Sequence, residues 1–104
     1  MKNNMRPIHP GEILQDELEE LKLSASAFAR MLAVPANRIT SILNGTRSIT
    51  ADTELRLSYF FGTSAQFWLN LQSTYDLKVA TKEKGKIIEK KSPHTRKLLS
   101  FYYS

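Results

Sequence analysis

Between Pro10 and Leu77 apolar residues recur at helical spacing, in short blocks separated by polar, glycine or proline residues. Ile13, Leu14, Leu18 and Leu21 form the first block, with most acidic residues falling opposite them. A helix is predicted to open at His9-Pro10-Gly11-Glu12, because Pro10 suits the first helical position and Glu12 complements the positive end of the helix. Ser24 can cap a second helix that ends near Ala33, and a third is predicted from about Pro35 to Asn44, stopped by a left-handed Gly45. Phe28, Ala29, Leu32, Val34, Ile39, Ile42 and Leu43 then form the inward faces of two helices crossing steeply at a tight turn, with small Ala29 at their closest approach. Thr50 is placed to cap a fourth helix closed by Gly62. Ser64 can cap a fifth, carrying Phe67, Trp68, Leu71 and Tyr75. Connections of about two to six residues suit such an all-α bundle of five helices.

The outer face of the third helix changes the picture from architecture to chemistry. It carries Asn37, Arg38, Ser41 and Asn44, and no acidic residue occurs from Leu21 to Ala51. A generic helical hairpin is the plain alternative, but the tight turn, small Ala29 and polar acid-free face together favour a helix-turn-helix that reads the major groove of double-stranded DNA. Pro35, Ala36, Asn37 and Arg38 would open the reading helix towards base edges, with Thr40, Ser41 and Asn44 on following turns. Asn37 can pair with adenine, Arg38 with guanine or a phosphate, and Arg47 is placed as a phosphate clamp.

Charge supports this locally rather than globally. Residues 1–77 hold seven Lys/Arg against eight Asp/Glu, a balance of −1. Residues 78–104 hold eight against two, a balance of +6, so the chain's net +5 lies in its C-terminal part. From Lys22 to Arg47, however, four cations stand without an anion, a distribution that steers a polyanion onto one face. The expected organisation is an N-terminal arm at 1–8, a helix-turn-helix domain at 9–81 and a basic tail at 82–104, broken by Gly85 and Pro93. That tail reads as a solvated terminus, as an extra contact to DNA backbone, or through its apolar end, Leu98–Tyr103, as a segment ordered by a partner or dimer mate.

Other chemistry is thinly represented. There is no cysteine, and His9 and His94 lack partners at ligand spacing, so no metal or cofactor and no enzymatic activity is expected. No apolar run approaches the roughly 20 residues needed to span a bilayer, and the first residues lack a signal-peptide core; a cytoplasmic protein is expected. The aromatic fifth helix reads as core, as a dimer seam through Trp68, Leu71 and Tyr75, or as both with Trp68 inside and Leu71 or Tyr75 across the interface, since reading a palindromic operator takes two copies roughly 34–36 Å apart.

Three blocks carry a more specific resemblance: His9-Pro10-Gly11-Glu12, then Ile42-Leu43-Asn44-Gly45, then Phe61 to Ser64 with Phe67 to Gln72 and Tyr75-Asp76-Leu77. Over about Pro7 to Thr81 the chain resembles HigA-type antitoxins, also called virulence-associated protein I, within the Xre/Cro helix-turn-helix group. The resemblance implies a lambda-repressor-like fold, homodimerisation, autorepression at a palindromic operator, and neutralisation of a HigB-type toxin, an mRNA endonuclease. A stand-alone repressor without a toxin partner is the alternative. The chain departs from the broader group at Ala25, where glutamine is common, and at Ala33, where a turn glycine is usual.

Overall fold

The computed structural model describes residues 6–92, and these form five α-helices: α1 (Pro10–Leu21), α2 (Ala25–Leu32), α3 (Ala36–Leu43), α4 (Ala51–Phe61) and α5 (Ala65–Lys91). Helix α2 packs on α3 and α4 on α5, while α1 lies across both α3 and α5. The core is formed by Leu14, Leu18, Phe28, Ala29, Leu32, Ile39, Ile42, Ile49, Leu57 and Trp68. Val34 and Leu43 pack partly buried against it. Phe28, Phe60, Phe61, Trp68 and Phe67 form a chain of aromatic contacts with ring centroids 4.9 to 5.8 Å apart, joining α2, α4 and α5.

The helix ends follow their expected chemistry with two exceptions. Ser24 Oγ accepts from Ala27 N and Ser64 Oγ from Phe67 N, both at 3.1 Å. Gly45 and Gly62 take left-handed conformations after α3 and α4. Ala33 takes the left-handed conformation expected at the turn position, with φ at 58°. Thr50 precedes α4, but its hydroxyl makes no capping hydrogen bond. Pro35 lies just outside α3 as its N-cap, its ψ of 144° being extended, and the helix proper begins at Ala36.

The composition change at Thr81 does not end α5. The helix continues without interruption through Gly85 to Lys91, 27 residues in all, or about 40 Å at the helical rise. Gly85 interrupts nothing because an exposed helix tolerates one glycine at a cost of about 1 kcal/mol. The buried residues of α5 are Trp68 and Gln72, so its second half projects beyond the globule. The expected apolar end, Leu98–Tyr103, and residues 1–5 lie outside the described residues.

Candidate nucleic-acid interface

The His9-Pro10-Gly11-Glu12 block is a positioning device for α3. His9 Nδ1 accepts from Gly11 N at 2.9 Å, and Glu12 Oε2 accepts from His9 N at 3.1 Å, a reciprocal cap that fixes the start of α1. The His9 ring is buried, meets the edge of Tyr75 at 4.9 Å between centroids, and lies beside Gly45 at the end of α3. Gly11 lies against the carbonyl of Ile42, so closely that a Cβ there would stand 1.9 Å from that oxygen. The tightest glycine contact on the reading helix is therefore made by α1. Ala29, expected at the closest crossing of α2 and α3, is buried as well.

With Ile39 and Ile42 fully buried, helical periodicity turns Asn37, Thr40 and Asn44 outward, and all three are exposed. Arg38 and Ser41 flank this stripe and are half-exposed, while Pro35 and Ala36 are exposed at its start. Thr40 is partly engaged at home, its hydroxyl lying 3.3 to 3.4 Å from the carbonyls of Asn37 and Ala36. The N-terminus of α3 has no side-chain cap, so its positive end is open to an anion.

The loop bearing Arg47 is fastened at both ends. The Ser41 carbonyl accepts from Thr46 N, Arg47 N and the Thr46 hydroxyl at 3.0 to 3.2 Å. Beyond it, Ile49 N donates to the buried Gln72 Oε1 at 2.8 Å, and Gln72 Nε2 donates to Asp76 at 2.9 Å. Gln72 is a positioning residue that hydrophobic periodicity could not reveal, since a buried polar side chain on α5 leaves no apolar signature. Arg38 and Arg47 line a cleft of about 280 Å³ together with Ser48, Thr50 and Thr53, at the start of α4.

The acid-free window of the sequence is not acid-free in space. Asp52 Oδ2 accepts from Arg38 Nη1 at 2.6 Å and from Arg56 Nε at 2.8 Å. Arg56, then Arg38, hold the Asp52 carboxyl below its ordinary range by hydrogen bonding. Arg56 also donates to the carbonyl of Leu32, the last residue of α2, at 2.7 Å.

The residues read as core or dimer seam separate in the structure. Trp68 is 2% exposed, packed inside its own domain, and donates its indole N–H to the Thr63 hydroxyl at 3.0 Å. An interior anchor of that size has no surface to offer a second copy. Leu71 and Tyr75 remain half-buried and line an apolar groove of about 390 Å³ with Ile8, Ile13 and Phe67.

No protein-family model matches the sequence. Virulence-associated protein I of Dichelobacter nodosus is 53% identical over 87 residues, covering 83% of this chain and 81% of that protein. The solved structure of an addiction-module antidote protein of the HigA family from Coxiella burnetii is 62% identical with a TM-score of 0.85, covering 88% of this chain and all of that one. The structure of the Pseudomonas aeruginosa antitoxin HigA with the higBA promoter is 50% identical with a TM-score of 0.82, covering 85% of this chain and 97% of that one. With such identity across most of each chain and the same fold, this chain belongs to the HigA family of antitoxins.

Proposed function

We propose that this chain is the antitoxin of a type II toxin–antitoxin pair, a homodimer that binds a palindromic operator, represses its own operon and neutralises a HigB-type mRNA endonuclease in the cytoplasm. The observation that carries the DNA reading is the outward stripe of Asn37, Thr40 and Asn44 on a short helix whose opposite face is fully buried. Its relative from Pseudomonas aeruginosa, solved with promoter DNA, supports the same reading. Pro35, Ala36, Asn37, Arg38, Thr40, Ser41 and Asn44 approach the major groove, and Arg47 with the cleft beside it takes a backbone phosphate. Leu71 and Tyr75, in their apolar groove, form part of the seam between copies. No side chain is assigned a catalytic role.

Arg38→Ala and Asn37→Ala are expected to weaken operator binding by roughly 1–3 kcal/mol each while leaving the fold intact. Fluorescence anisotropy at fixed salt, beside a thermal melt, measures both. Unchanged affinity in both variants would reject this reading face. Rescue of growth on co-expression with a HigB-type toxin, and recovery of the two proteins as a complex, tests the second activity. Failure of both would leave a stand-alone repressor.

A further inference from the structure

Asp52 sits in the first turn of α4 and folds back onto the reading face, so that one carboxylate oxygen ties together three helices. It binds Arg38 at the start of α3, and it binds Arg56, which in turn holds the last carbonyl of α2. The Arg38–Asp52 pair is partly solvated, with side chains 29% and 54% exposed. Because water reaches the pair, part of the guanidinium stays open, and a DNA phosphate can approach it while Asp52 remains in place. Arg38 uses Nη1 for this contact, and a guanidinium has five N–H donors, so other donors remain for a second partner.

We propose that Asp52 is a specificity-determining positioning residue, holding Arg38 in one orientation and offsetting part of its charge towards DNA that is out of register. This rests on the DNA-reading role of α3. Non-specific affinity comes from cations neutralising phosphates regardless of sequence. An arginine already paired with a carboxylate adds little to that term. On the operator, a base edge or phosphate in register meets the open side of the guanidinium without displacing Asp52. The contact therefore weakens wrong complexes more than the right one, which is discrimination by repulsion.

The test uses the full chain, a duplex carrying the palindrome upstream of its own gene, and a scrambled duplex of equal composition, titrated by anisotropy across a salt series. Asp52→Asn keeps the side chain's size and removes its charge. Scrambled DNA is expected to bind about 3–10-fold more tightly, with a salt slope steeper by about one per protomer, while operator affinity changes by less than about twofold. Asp52→Glu is expected to restore the exclusion of scrambled DNA, and Asp52→Ser, which also suits the first turn of a helix, to repeat the effect of Asn. In an Arg38→Ala background Asp52→Asn is expected to leave the specificity ratio unchanged, because the carboxylate acts through Arg38. An unchanged ratio in the wild-type background, or an equal shift in both backgrounds, overturns the role of Asp52 alone. A wild-type chain that does not distinguish the two duplexes overturns the DNA reading itself.

Discussion

At Gly11 the missing side chain answers a packing need, since the carbonyl of Ile42 occupies the space a Cβ would take. The obstacle is backbone, which cannot rotate aside as a side chain can. Gly11→Ala is therefore expected to cost about 1–3 kcal/mol in urea denaturation and to lower operator affinity by displacing α3. Two carboxylates set opposite pH dependences. The Arg6 hydrogen bonds, then the His9 backbone N–H, pull the Glu12 carboxyl from its ordinary 4.5 down to about 2. A lowered folded value favours the ionised form in the native state. The stability from Glu12 is thus present above about pH 4.5 and lost as pH falls towards about 2. The pair is well exposed, so the effect is small and shrinks in high salt. Glu54 is 6% exposed, and burial raises its carboxyl above the ordinary 4.5. A raised folded value favours the protonated form, so its contribution is full below the unfolded value and lost as pH rises through the folded one. Urea midpoints at pH 7 and pH 3 should show Glu54→Gln stabilising the protein at neutral pH and Glu12→Gln flattening the acid loss. The reverse pattern would contradict both assignments.

Among the elements, α5 departs most from its expected extent. Its first half is fixed by Trp68, by Gln72 and by the half-buried Leu71 and Tyr75; its second half, through Lys91, buries none of the described side chains fully. A chain ended after Thr81 is accordingly expected to melt within about 2–4 °C of the full chain by circular dichroism, since little buried area is lost. The same variant separates the three readings of the C-terminal part. Weaker DNA binding with a shallower salt slope marks a backbone contact, loss of the dimer in sedimentation marks a partner contact, and no change in either marks a solvated terminus. Helix α3 shows the opposite relation between element and context. Its two buried isoleucines fix which face is free, but its axis is set from outside by α1 at Gly11 and His9.

Across the whole molecule, charge is divided unevenly. Four of the five acidic residues of α1, Asp16, Glu17, Glu19 and Glu20, are exposed on a different element from the cations Arg38 and Arg47 around the α3 stripe. Many cationic contacts to phosphate release many counterions, so binding should depend steeply on salt. For a dimer making about eight phosphate contacts the expected log–log slope is near −7. Titration of the operator duplex between low and moderate salt measures it; a slope shallower than about −3 would mean that few of these arginines and lysines reach the backbone.

The sequence by itself determined the five helices, the stops of α2, α3 and α4 and the free face of α3, because helical periodicity, capping hydroxyls and glycines act over a few residues. Ser24, Ser64, Gly45 and left-handed Ala33 were legible for that reason. The motifs also carried the family, while the fate of individual side chains depended on contacts distant along the chain. Tertiary structure alone decided that Trp68 belongs to the interior, that Gln72 secures the loop before α4, and that Asp52 reaches across 14 positions to Arg38. Hydrogen bonds between residues remote in sequence leave no periodic trace. A window without acids can thus acquire one when the next helix packs against it.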